Sequence, residues 1–223
     1  MHRMTRRLAL GAAAAVLLGW GALWLAGAAG NPAASRALAT LSALVGYQSS
    51  GAVGAIGPRG VQIGGPFHLV DQNGAAVSDA DYRGRWMLVY FGYTFCPDVC
   101  PTELQTIAAA LDKLGPDAAK VAPLFITVDP ARDTPAVLAK YVELFGHGIS
   151  GLTGTPDEIA AVARAFRVYY AKAPVGGTAT YLMDHSSFVY LLDPKGRLAA
   201  LFNQDTSADE LAAGLRERLS QRT

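Results

Sequence analysis

Residues 86–115 read WMLVYFGYTFCPDVCPTELQTIAAALDKLG, an apolar run, a pair of cysteines and a periodic segment in immediate succession. Residues 86–93 have the continuous apolar character of a strand buried on both faces of a sheet. From Pro101 onward apolar residues recur at helical spacing. Between the two stand Cys96 and Cys100, the only cysteines of the chain, each followed by a proline. A proline disfavours the α region in the residue before it, so the cysteine segment reads as a turn, with a helix predicted to start at Pro101 and Cys100 as its N-cap. In open α/β sheets reactive groups gather outside the C-terminal ends of the strands, which is where this turn falls.

The pattern continues in both directions. Downstream, VAPLFITVD (residues 121–129) is a second buried strand ending at Asp129, TPAVLAKYVELFG (134–146) is a helix starting at Pro135, and PDEIAAVARAFRV (156–168) is a third helix. A Gly/Thr-rich loop over residues 173–184 leads to the strands SFVYLLD (187–193) and RLAALF (197–202), joined by a Pro194-Lys195-Gly196 turn, and a last helix begins near Ser207. Upstream, PFHLVDQNGAAVS (66–78) alternates around Asn73-Gly74, the signal of a hairpin near a sheet edge. The order β-β-β-α-β-α-α-β-β-α predicts an α/β domain over residues 59–223: a thioredoxin-like fold with a central mixed sheet flanked by helices.

Composition removes several functions. At 223 residues and 51% apolar, the chain has enough material for one well-buried core. Nineteen basic side chains against eighteen acidic ones leave no basic footprint for nucleic acid. Phosphate-loop, dinucleotide-binding and serine-hydrolase motifs are missing.

Before the domain, Arg3, Arg6 and Arg7 precede an uncharged stretch over residues 8–30. As a helix it would be about 34 Å long, enough to cross a bilayer core of ~30 Å. Residues 1–30 are therefore expected to be an N-terminal transmembrane anchor, with a cleaved signal peptide as the alternative reading of the small residues LAGAAG. Arginines before the span place the N-terminus in the cytoplasm. The expected location is the inner membrane, single-pass, with the domain on the periplasmic side. Residues 31–58, rich in Ala, Ser and Gly, read as a tether.

Outside the cytoplasm a nearby thiol pair becomes a disulfide unless it is reduced or occupied by a metal. A positive helix end beside the cysteines favours a thiolate. A structural disulfide is the plain alternative, although a bridge across so short a loop removes little unfolded-state entropy. Three intervening residues let both sulfurs face one soft ion, and a third ligand is then needed. His2 lies in the N-terminal tail, His68 on the hairpin and His147 in the loop FGHGIS, where exposure explains them. His185 ends the loop that a thioredoxin-like plan places beside the cysteine turn; the alternative is a histidine capping a strand. Cys96, Cys100 and His185 together would form an S₂N site suited to Cu(I), and to Cu(II) with a weak extra ligand. Asp98 reads as a turn residue or an axial ligand. Asp129 either orients the His185 side or serves Asp-Pro turn chemistry. Tyr90, Tyr93 and Phe95 read as packing.

The segments YFGYTFCPDVCPTEL, FITVDPARDTP and MDHSSFVYLLDPKG, in this order and spacing, closely resemble the Sco/SenC family of membrane-anchored copper chaperones for cytochrome c oxidase. The resemblance runs from about Gly64 to the C-terminus. It implies Cu(I)/Cu(II) binding through Cys96, Cys100 and His185, and help in forming the binuclear copper site of cytochrome c oxidase subunit II. Implied partners are subunit II, the membrane, and a periplasmic copper donor or thiol reductant. A thiol-disulfide reductase that keeps the cysteines of that copper site reduced would use Cys96 and Cys100 as its redox pair, and a passive copper-binding scaffold would transfer nothing. A thiol peroxidase fits badly. Peroxiredoxins carry a proline seven residues and a threonine three residues before the reactive cysteine, where this chain has Val89 and Tyr93.

Overall fold

The computed structural model describes residues 52–54, 63–176 and 180–220. Its elements in chain order are β1 (Ala52–Gly54), β2 (His68–Asp71), β3 (Ala76–Ser78), β4 (Trp86–Gly92), α1 (Val99–Leu114), β5 (Val121–Thr127), α2 (Pro135–Glu143), β6 (Ser150–Thr153), α3 (Pro156–Phe166), β7 (Tyr170–Pro174), β8 (Tyr181–His185), β9 (Phe188–Leu192), β10 (Leu198–Asn203) and α4 (Ala208–Ser220). The main sheet runs β1-β10-β9-β4-β5-β6-β2-β3, and β7 with β8 forms a separate ribbon. β4, β5 and β6 are parallel, whereas β9 pairs antiparallel with β4 and β2 antiparallel with β6. The sheet is mixed, as expected.

Register shows how its two faces are covered. Phe202, Val189, Tyr90, Phe125 and Gly151 stand in one cross-strand row. A side chain at Gly151 would meet Leu138 and Val142 of α2, and one at Gly214 of α4 would meet Phe202, so α2 and α4 cover this face, with α1 packed against α4. The neighbouring row, turned the opposite way, carries Phe91, whose ring lies 5.3 Å from Phe166 of α3. Every residue of β4 and β5 is buried. Burying their apolar side chains, at about 1.5–3 kcal/mol for each large one, makes this pair the rigid floor on which the loops stand.

Four local outcomes differ from expectation. α1 starts at Val99 with Asp98 as N-cap, so Cys100 is the second helical residue and not the cap. Pro101 tolerates this because N–H groups of a first turn have no helical acceptor to lose. β6, with the sequence SGLT, is a strand between the second and third helices that local propensity does not announce. Much of the expected loop over residues 173–184 is strand, the ribbon in which Tyr170 stands opposite His185 and Pro174 opposite Tyr181. Finally, residues 52–54, in the stretch read as a tether, pair with β10. The Asn73-Gly74 turn is as expected, with Gly74 at φ 84°. The span read in residues 8–30 lies outside the described residues, and among the described residues no helix is long and apolar enough to cross a membrane.

Candidate metal centre

β4 delivers the chain to the cysteine turn, and a buried carboxylate fixes the approach. Asp133 is fully buried, accepting from the Thr94 amide (3.0 Å), the Thr94 hydroxyl (2.6 Å) and the Thr127 hydroxyl (2.5 Å). Burial pushes its carboxyl up from the ordinary range, against these hydrogen bonds. Cys96 is half-buried and Cys100 fully buried, and both are free thiols. The Cys100 amide donates to Cys96 Sγ at 3.4 Å. Below them lies Gly92, where a Cβ would come within 3.0 Å of Cys100 Sγ and 2.8 Å of the Phe125 ring. Only a residue without a side chain lets the buried sulfur settle against the sheet.

The two thiols divide their protons. The hydrogen bond from Cys100 holds the Cys96 thiol far below the usual range against the cost of burial, with His185 and the Asp98 and Cys100 amides adding to the effect. Cys100 is pushed up, because it is the donor in that hydrogen bond and because it is buried. The shared hydrogen bond thus draws the proton towards Cys100 and away from Cys96.

His185 closes the group from the end of β8. Its Nε2 lies 3.4 Å from Cys100 Sγ and its Nδ1 lies 3.1 Å from the Ser186 carbonyl oxygen. A carbonyl only accepts, so Nδ1 carries a proton and Nε2 is the nitrogen turned towards sulfur. Protonated, Nε2 donates to a thiolate; deprotonated, it offers a lone pair to a metal. The imidazole is wedged edge-on between Tyr93 (centroids 5.9 Å apart, 90° between planes) and Tyr90 (6.3 Å, 69°). These tyrosines pack, as expected, and what they pack is the histidine.

The other candidates stand elsewhere. Asp98 is exposed, its carbonyl accepting from the Thr102 amide and hydroxyl. Asp129 is bonded to Arg132 and to the Tyr181 hydroxyl (2.9 Å) and so does not orient the His185 ring. His68 opens β2 next to the far edge of the sheet, and His147 follows α2 with its Nε2 3.3 Å from Asp112. The sequence reading passed over Arg132, Tyr181 and Glu103. Arg132 and Glu103 stand inside quoted motifs, beside Asp133 and one turn after Cys100, and that adjacency was the available signal. Burial pushes the Glu103 carboxyl up to about 7.

Two donors each about 2.0–2.3 Å from one ion lie within ~4.5 Å of each other, so the Cys100–His185 separation is compatible with a shared ion. Among the described residues no three His, Cys, Asp or Glu side chains stand converged as a finished metal site. The cluster is a dithiol–imidazole group held by hydrogen bonds, and an ion bound here would exchange those bonds for ligand bonds.

Comparison with known proteins places these observations. The family described as SCO1/SenC matches residues 57–220. The mitochondrial SCO1 homolog of Homo sapiens is 42% identical over 158 residues, which cover 69% of this chain and 52% of that protein. Protein SenC of Rhodobacter capsulatus is 45% identical over 156 residues, 70% of each chain. The structure of Bradyrhizobium japonicum ScoI with copper bound matches at a TM-score of 0.65 and 48% identity, covering 70% of this chain and 98% of that one. The matched region spans about half the length of the human relative.

Proposed function

Because the chain belongs to the SCO1/SenC family, we propose that it binds one copper ion through Cys96, Cys100 and His185 and delivers it to the binuclear copper site of cytochrome c oxidase subunit II. The observation that carries the reading is the placing of His185 Nε2, 3.4 Å from the Cys100 sulfur with its other nitrogen held by a backbone carbonyl. Two thiolates and one imidazole are a soft donor set that suits Cu(I) and, with a weak fourth ligand, accepts Cu(II). Copper here is cargo. Cys96 is half-buried where Cys100 is fully buried, and its thiol is the more readily ionised of the two, so it meets the incoming ion first. Cys100 gives up its proton on loading, which ties affinity to pH. Delivery runs in reverse: a ligand of the partner displaces His185, then the two thiolates, and the ion never passes through solvent.

A second reading rests on the same proton division. A half-buried thiolate beside a buried thiol is the arrangement of a disulfide reductase. Cys96 attacks a partner disulfide and one partner thiolate leaves; Cys100 then attacks Cys96, releasing the second partner thiol and leaving an intramolecular disulfide. A dithiol reductant must restore it. The two readings part in one experiment. The Cu(I)-loaded chain is mixed with copper-free subunit II whose cysteines are already reduced, and the copper content of each protein is measured after separation. Transfer supports delivery, whereas repair of oxidised subunit II alone, by copper-free protein, supports reduction.

The proposed location is the inner membrane with the domain on the periplasmic side. Alkaline carbonate should leave the full chain in the membrane pellet, and protease applied from the periplasmic side should release the domain. A soluble mature form beginning near residue 29 would replace the anchor with a cleaved signal.

A further inference from the structure

The turn after β5 contains DPARD, residues 129–133, and its charged side chains serve the two halves of the centre separately. Asp133 secures the cysteine approach through Thr94. Arg132 reaches the opposite half. Its Nη1 donates to the Tyr181 carbonyl at 2.9 Å, and its guanidinium carbon stands 3.9 Å from the Tyr181 ring centroid. Its Nε donates to Asp129, a carboxylate only 2% exposed, which also accepts from the Tyr181 hydroxyl at 2.9 Å. The same guanidinium lies 4.8 Å from the Phe95 ring centroid and 5.8 Å from that of Tyr93, both on the cysteine side. One planar cation therefore touches the strand that ends in His185 and the loop that leads to Cys96.

We propose that Arg132 is a positioning residue: it locks β8 to the cysteine loop and so sets the distance from His185 to the sulfurs. The coupling to copper rests on the reading of His185 as a ligand; the lock itself does not. The need for it follows from topology. Among the described residues the β7–β8 ribbon is hydrogen-bonded to itself and has no ladder to the main sheet. A two-stranded ribbon is marginal alone, so its position is set by side chains. Met183 buries one contact from this ribbon, and Arg132 with Asp129 and Tyr181 supplies a directional one. Tyr181 and His185 are the two ends of β8, so tilting the ribbon about a lost Tyr181 contact moves the imidazole. Lysine cannot replace Arg132. A single ammonium group pairs with Asp129 but lacks the fork and flat face that bond Asp129 and the Tyr181 carbonyl while stacking on the Tyr181 ring.

The test uses the full chain in detergent, reduced and metal-free, as wild type and as Arg132→Lys, which keeps the charge beside Asp129. A second variant, Asp129→Asn with Arg132→Gln, removes both charges together and so leaves no unpaired buried carboxylate. Hydrogen exchange is followed in residues 181–185 and, as reference, in β4 and β5. Both variants are expected to raise exchange in residues 181–185 roughly tenfold, the scale of a lost hydrogen bond to a charged group, with β4 and β5 unchanged. Unchanged exchange in residues 181–185, or a uniform rise in all strands, overturns the proposal. Cu(II) is then titrated into the same proteins and into His185→Ala, following the thiolate-to-copper absorption. Arg132→Lys should lose at least about tenfold in Cu(II) affinity, and adding it to His185→Ala should cost nothing further. A loss on top of His185→Ala overturns the lock as the route of the effect. If His185→Ala itself leaves Cu(II) binding intact, the ligand reading fails, and the exchange data still decide the lock.

Discussion

Replacing Gly92 by alanine tests how tightly the sheet supports the buried sulfur. The new methyl carbon would stand 2.8 Å from a Phe125 ring carbon, 3.0 Å from Cys100 Sγ and 3.2 Å from a Tyr90 ring carbon, where ordinary contact begins at 3.4 Å. Relief therefore requires about 0.6 Å of movement at the ring and about 0.4 Å at the sulfur, and overpacking of this kind costs about 1–3 kcal/mol. Gly92 is not among the positive-φ glycines, so the backbone accepts alanine and the effect is steric alone. Metal sites hold their ligands to within roughly 0.2 Å, so a 0.4 Å shift of Cys100 exceeds the tolerance. The expected result is a fall of about 1–3 kcal/mol in urea unfolding, and at least about tenfold weaker Cu(I) binding in competition with a chelator of known affinity. Gly151→Ala is the control. Its methyl carbon would meet Leu138 and Val142 at 3.1 Å, on the same face but away from the sulfur, so it should lose stability without losing copper affinity. Native stability and native copper affinity in Gly92→Ala would refute the reasoning; a copper defect of equal size in Gly151→Ala would show that general destabilisation was being read as geometry.

Further outcomes follow from the same contacts. Cys96→Ser and Cys100→Ser should each abolish copper binding measured by stoichiometry, whereas His185→Ala should keep weakened Cu(I) binding and lose most Cu(II) affinity; the same loss in His68→Ala or His147→Ala would reassign the third ligand. Because the Cys96 thiol is depressed by its Cys100 hydrogen bond, it stays a thiolate as pH falls, so its alkylation by iodoacetamide should hardly slow between pH 8 and pH 6. An ordinary thiol slows roughly 100-fold over that range, and such a decline at Cys96 would contradict the assignment. Glu103 behaves in the opposite sense. Its carboxyl is raised to about 7 by burial, so its contribution to stability is fully present below the ordinary glutamate range and is lost as pH rises through about 7. Glu103→Gln should match the wild type in urea unfolding at pH 4.5 and exceed it at pH 8, and identical pH profiles would count against a buried neutral acid.

The parts of the fold legible in sequence are those whose causes are local. The apolar runs of β4 and β5, the Asn73-Gly74 turn, and the Thr134-Pro135 start of α2, where the Thr134 hydroxyl accepts from the Val137 amide, each depend on neighbours within a few residues. What escaped depends on distant partners. β6 is four residues long and is a strand because β5 and β2 flank it. The segments YAKAP and YLMDH carry no strong strand pattern and are ordered as each other's partner. Of the candidate site, the cysteine pair was legible from its spacing and His185 from its place at the end of a loop beside the cysteine turn, and the structure sets His185 3.4 Å from Cys100. Arg132 was not, because the carbonyl it bonds is 49 residues away. Asp129 was half-read: it serves the histidine side through Tyr181 and Arg132, not through the imidazole.

The contact between Cys100 and His185 joins residues 85 positions apart, and between them run the rest of α1, β5, α2, β6, α3 and the ribbon. Closing such a loop in an unfolded chain costs entropy that only the completed sheet offsets. On the proposed ligand reading, a nascent or unfolded chain offers copper the two nearby cysteines, and His185 joins them to make the three-donor set only once the ribbon stands beside the cysteine turn. Copper that prefers this set selects the finished fold, and ligand at a hundred times its dissociation constant adds about 2.7 kcal/mol to the stability of that state. If copper is held and handed on as proposed, the ion also acts as a folding ligand: loaded protein should resist unfolding and proteolysis more than unloaded protein, and turnover of the chain would be biased towards molecules that have already given up their copper.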